Sequence, residues 1–317
     1  MTGRRPIVRR VDVHLEHCDD PEDRTWDVEV VKDRINLIAG AIGSRVPDPE
    51  QVEVVITGDF VTSVRSRVTT SDAAAYTTDR LFGKVGAKTI PSPSGGSTIV
   101  FPMELVIGLD PGWLGRLAEH EALHAGMRQR GETLSDLRER RNLPELSRDG
   151  IFAGLAGVAG EEHRVERALL DDGLFITPSY TEQVRSTLPT LRDRLTAGVA
   201  LLRPGQPVDG CMQPVMAAFH QMTLLVAYAA AEELASNGQL APDRAAPGWR
   251  RLVGDHYERF RDELAALPSA SVLCAYTTLD EKTLRLDPAL DDWLEHVGFS
   301  IEPQPVGVWF HVLRHDF

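Results

Sequence analysis

Residues 117–131 read LAEHEALHAGMRQRG, with His120 and His124 four apart and Glu121 directly after the first. In a helix of 3.6 residues per turn, side chains four apart lie one above the other, and adjacent ones are turned by about 100°. The two imidazoles then share a face, with Glu121 beside them. The surroundings predict such a helix. Asp110 and Pro111 supply an N-cap and a first-turn proline, and Gly131 supplies a stop. Leu114, Leu117, Leu123 and Met127 provide apolar positions between them. Two histidines converging on a divalent ion, with a carboxylate near its open position, form the arrangement of metal-assisted hydrolysis. The ion acidifies a water and the carboxylate accepts its proton. His120 and His124 are therefore candidate ligands and Glu121 a candidate general base.

A catalytic zinc takes a third protein ligand. A histidine six residues beyond His124 is ruled out, because position 130 is arginine. The stretch GLAGVAGEEHRVERALL (154–170) offers carboxylates instead. Glu162 and Glu166 lie four apart on one face, so one can bind the ion while the other supports a ligand histidine from behind. Glu161 has Val165 in the supporting place, which favours Glu162 as the ligand and Glu166 as its second carboxylate.

HEALH (120–124) followed by EHRVE (162–166) resembles the gluzincin metallopeptidases, a family that includes thermolysin, the CAAX-prenyl-protease-like enzymes and the minigluzincins. Glu166 stands where aspartate is more usual, which lengthens that arm by one methylene. The resemblance covers roughly residues 95–170. It implies a zincin-like α+β fold, a bound Zn2+ and a peptide or protein substrate. It also implies an edge strand over the helix that carries the histidines, where an extended peptide adds by β-pairing. STIVFPMELVI (97–107) is similar to that strand, and Pro102 within it favours an edge position.

Outward from this region the pattern changes character. RRVDVHLEH (9–17) and VEVVITGDF (52–60) alternate like strands, and VTSVRSRVT (61–69) returns as a further one. DVEVVKDRINLIAGAIG (27–43) has helical periodicity, GKVGAKTI (83–90) reads as a strand, and PSPSGGS (91–97) is a loop. From Asp110 onward the chain reads as mostly helical. The expected organisation is a strand-rich part at 1–109, metal-binding helices at 110–175, and a mainly helical part at 176–317 that completes the cleft. The layout is α+β, without regular βαβ alternation.

A net charge of −13 opposes a broad nucleic-acid surface, which needs clustered Lys and Arg. The three cysteines, Cys18, Cys211 and Cys274, form no CxxC pair and point to a reducing, cytoplasmic setting. The apolar stretch 214–235 carries His220 and Gln221 near its middle and reads as a buried helix, not a membrane span. An oxyanion donor is expected from the C-terminal half, with His220 and Tyr228 as first candidates and Tyr180, His256 and Tyr257 behind them. His163 is expected to point away from the metal face, and His311 and His315 to be surface or packing residues. In the segment 128–149, six arginines against five acids read as a solvated rim.

Two other functions compete. A dinuclear iron or manganese carboxylate protein would use Glu121-x-x-His124, but it needs a second ExxH. Three residues after Glu161, Glu162 and Glu166 stand Arg164, Val165 and Leu169. A zincin fold kept only for sensing or interaction would have no use for Glu121.

Overall fold

A computed structural model describes residues 11–18, 27–69, 78–80, 83–92, 95–202 and 209–317. The chain is α+β, 58% helical, with a small mixed sheet and a mainly helical C-terminal half. It divides into two compact units, residues 1–79 with 84–131, and residues 80–83 with 132–317.

The first unit is built on four strands, β1 (Asp12–Glu16), β2 (Val52–Thr57), β3 (Lys88–Pro91) and β4 (Ser97–Pro102), in the order β1-β2-β4-β3. β1, β2 and β4 run parallel, and β3 pairs antiparallel with β4. Every residue of β4 is buried, as in a strand covered on both faces. On one face Val52, Val54, Ile56, Ile99 and Phe101 share a core with Ile38 and Ile42 of helix α1 (Val28–Arg45). Leu114, Ala118, Ala122 and Ala125 of the HEALH helix join that core. On the other face Val55, Ile90 and Val100 pack with Phe60 and Val64 of helix α2 (Phe60–Arg65). The period of two in the strands thus separates two cores.

Three sequence expectations are corrected here. VTSVRSRVT does not return as a strand: its first residues form α2, because the Asp59 carboxylate accepts from Thr62 N (3.1 Å) and caps a helix start. STIVFPMELVI is not one strand, since β4 ends at Pro102 and helix α3 (Met103–Gly108) follows. Nor is it the edge, because β4 is hydrogen-bonded on both sides. A proline marks the end of a ladder as readily as its flank, since the missing N–H costs nothing where pairing stops. Among the described residues the edge beside β4 is β3, which carries a proline of its own, Pro91.

The HEALH helix, α4, runs Pro111–Gln129. The Asp110 carboxylate accepts from Gly112 N (2.8 Å), Pro111 opens the first turn, and Gly131 closes the end at φ 71°.

In the second unit a short helix α5 (Leu137–Arg140) precedes three long ones, α6 (Arg148–Asp171), α7 (Tyr180–Ala200) and α8 (Asp209–Ala235). Helices α9 (Trp249–Leu252), α10 (His256–Ala265), α11 (Tyr276–Thr283) and α12 (Leu286–Val297) follow, then a hairpin of β5 (Phe299–Pro303) and β6 (Val308–Val312). One core joins them, with the buried Trp293 ring against Phe219 (5.2 Å) and its indole N–H donating to Leu252 O (2.7 Å). By length and composition Gly210–Ala235 is apolar enough to cross a membrane, so His220 and Gln221 do not exclude that by themselves. Burial identifies it as a core helix: 72% of its apolar window is covered within the protein. In α6, Gly157 is required by close approach, because an added Cβ would meet the Leu134 carbonyl oxygen at 2.2 Å.

Candidate metal centre

On α4 the half-buried His120 and His124 stand one turn apart, with ring centroids 5.0 Å apart and planes at 62°. Their Nε2 atoms are 3.3 Å apart. Two nitrogens about 2.0–2.1 Å from a tetrahedral ion are separated by roughly 3.3–3.4 Å, so the pair has the spacing of two zinc ligands. A ligand atom from each of His120, His124 and Glu162 lies within 4.8 Å of the others. Among the described residues this is the one group of three or more His, Cys, Asp or Glu side chains with that geometry. Two imidazoles and one carboxylate are a donor set of catalytic zinc sites, which leave a fourth position open. The residues therefore fit the ion.

Glu121 is buried on the same helix. Its Oε2 accepts from the Thr89 hydroxyl at 2.7 Å, and the same Thr89 oxygen lies 3.0 Å from the Glu121 carbonyl oxygen. Thr89 pairs with Ile99, whose side chain belongs to the helix-side core, so Thr89 faces α4. The edge strand thereby fixes the carboxylate expected to act as base. Sequence reasoning missed Thr89. Its role depends on the β3–β4 register, which leaves no local signal.

On α6 the two adjacent glutamates have different work. Buried Glu161 accepts from Leu134 N (2.7 Å) and Ser135 N (2.8 Å) with one oxygen, tying down the loop after Gly131. Half-buried Glu162 accepts from the Tyr228 hydroxyl at 2.9 Å through Oε2. Tyr228, named from the sequence as an oxyanion donor, is thus in contact with the candidate ligand itself. Burial, then the charge of Glu162, push the phenol well above its ordinary pKa, so it stays protonated and donates. Its ring lies against Tyr180, centroids 4.9 Å apart.

Glu166 is buried one turn beyond Glu162, and its charge helps to raise the pKa of both Tyr228 and Glu232. His220 is half-buried on α8, eight residues before Tyr228. His163 faces α8: Nδ1 lies 3.1 Å from Ala227 O, and burial pushes its pKa down to about 4, so it is neutral. Tyr257 commits its hydroxyl to Glu233 (2.6 Å), itself paired with Arg261, and His256 packs beside His296 at 4.6 Å. His311 meets Glu302 on the terminal hairpin (3.2 Å).

The arginines of the 128–149 segment that lie in the second unit are ion-paired: Arg138 with Glu139, Arg140 with Asp136, Arg141 with Asp280 and Arg148 with Asp291. Their charge is balanced locally. No protein-family model, curated protein or solved structure matches the chain.

Proposed function

We propose that the chain is a zinc-dependent hydrolase, and specifically a metallopeptidase of zincin-like fold. His120, His124 and Glu162 hold the ion and Glu121 is the general base. The observation that carries this reading is the grouping of the three ligand atoms within 4.8 Å, with a buried carboxylate next to the first histidine. When bound, zinc supplies Lewis acidity, polarising a carbonyl and bringing the pKa of a water near neutrality.

The chain's own residues do the rest. Glu121, held at Oε2 by Thr89, receives the water's proton and delivers it to the leaving amine. Glu166 supports a ligand imidazole, and His220 is the first candidate for stabilising the oxyanion. A peptide substrate is favoured because β3 is an edge among the described residues and contacts the base through Thr89. An extended chain added to β3 would run beside Glu121. A dinuclear carboxylate site would need a second ExxH, and Arg164, Val165 and Leu169 stand three residues after Glu161, Glu162 and Glu166. This favours one ion over a dinuclear site.

The test combines elemental analysis with a peptide-library assay on wild type, Glu162→Ala and Glu121→Gln. The reading requires about one zinc per wild-type chain, lost in Glu162→Ala. It also requires cleavage by wild type that disappears in Glu121→Gln while zinc is retained. A wild-type protein that binds no transition metal after zinc is supplied would refute it. Two irons or manganese per chain would replace it with oxidative chemistry.

A further inference from the structure

A carboxylate ligand can bind an ion through one oxygen or both, and the choice decides whether two histidines and a glutamate leave a position open. The terminal torsion of a glutamate is broad, so nothing intrinsic to Glu162 selects one mode. The structure contains a device that does. Tyr228 donates to Glu162 Oε2 at 2.9 Å, so one of the two carboxylate oxygens is already engaged by a fixed proton donor, which lowers its electron density and turns the carboxylate plane toward the phenol.

Tyr228 is itself held. Its ring rests on Tyr180, the first residue of α7. The start of α7 is set by a reciprocal cap, with Ser179 Oγ accepting from Glu182 N (3.2 Å) and Glu182 Oε2 accepting from Ser179 N (3.0 Å). Glu232, one turn beyond Tyr228 on α8, accepts from Thr181 N at 2.9 Å. Two residues of α8 therefore clasp the first turn of α7, one by ring contact and one by hydrogen bond. The phenol is presented to Glu162 from a rigid seat, and all of these contacts lie within the second unit.

We propose that Tyr228 is a positioning residue for Glu162. It holds the carboxylate to coordination through a single oxygen and so preserves the open position that hydrolysis requires. This rests on the metal reading above. It assigns Tyr228 a task that neither the HEALH motif nor the glutamate helix specifies.

The test compares apo wild type with Tyr228→Phe, which keeps the ring and removes only the hydroxyl. Zinc is titrated in competition with a chromophoric chelator, and the visible spectrum is recorded after loading with Co2+. Four-coordinate Co2+ absorbs several times more strongly than five-coordinate Co2+, so the band reports ligand number directly. Wild type is expected to bind one equivalent and show the intense band. Tyr228→Phe should bind about 10- to 100-fold more weakly, the usual loss when a group behind a ligand is removed, and show a weakened band. A thermal melt of each apo-protein reports folding separately, and a fall there without a spectral change counts against the proposal. Equal affinity and an unchanged band in Tyr228→Phe would overturn it while leaving the metal site standing. A wild type that takes up neither ion would overturn the metal reading itself, and this inference with it.

Discussion

Glu132 and Arg164 form an ion pair at 2.8 Å in which neither side chain is more than 1% exposed. The carboxylate also accepts from Cys274 N (3.0 Å), and the guanidinium donates to Pro268 O (3.0 Å) and to Glu132 O (3.3 Å). Replacing Glu132 by Ala strands a buried cation and orphans the Cys274 amide. Breaking one side of such a pair costs about 3–5 kcal/mol. The amide contributes about 1 kcal/mol of that or slightly more. We expect Glu132→Ala to lower the urea midpoint of the second unit by an amount equivalent to about 4 kcal/mol. The transition can be followed through Trp249 and Trp293, both buried there. The reasoning rests on desolvated charge and not on lost volume, so Glu132→Leu with Arg164→Met, which removes both charges, should recover at least half the loss. A double variant no more stable than the worse single one would refute it.

Other predictions concern charge, the base and packing. Burial lifts the Asp287 carboxyl to about 6, and its Oδ1 has no hydrogen-bond partner among the described residues. The folded pKa lies above the unfolded one, so the folded state carries a penalty that is absent below about pH 4, grows as pH rises towards 6, and is full above it. Asp287→Asn should stabilise by about 1–2 kcal/mol at pH 8, after allowance for partial exposure. The gain should vanish near pH 4, and a gain independent of pH in denaturation curves would contradict the cause assigned. Thr89→Val should cut peptide hydrolysis about tenfold, equivalent to one charged hydrogen bond of roughly 1.5 kcal/mol, with zinc content unchanged. Loss of zinc in parallel would place Thr89 in folding instead. Gly157→Ala should cost about 1–3 kcal/mol in thermal unfolding, because the neighbour it meets is backbone and cannot swing away.

What could be read from the sequence was what depends on near neighbours in the chain. Asp110, Pro111 and Gly131 mark the ends of α4 because caps act within one turn, and helical period alone puts His120 over His124. The choice between Glu161 and Glu162 also had a local basis, the side chain four residues on. Features that depend on partners far along the chain were misread or missed. Pro102 says that a ladder stops but not whether it stops sideways or lengthwise. The Asp59 cap is the exception: it acts within one turn, but it stands in a stretch whose β-branched residues suggest a strand. Thr89 reaches Glu121 only through the β3–β4 register. Tyr228 reaches Glu162 across 66 residues, by the packing of two long helices that hydrophobic pattern alone cannot align.

The shortness of β3 has a consequence for solubility. An uncovered strand flank invites a second molecule to extend the sheet, and a protein that keeps one open for peptides runs the risk of polymerising through it. Here the flank is four residues long, with exposed Lys88 at one end and exposed Pro91 at the other. The lysine charge repels a like copy and the proline offers no amide, and of Thr89 and Ile90 between them only one turns its N–H and C=O to the free flank, since neighbours along a strand alternate. So short a flank offers a second copy few backbone bonds to gain.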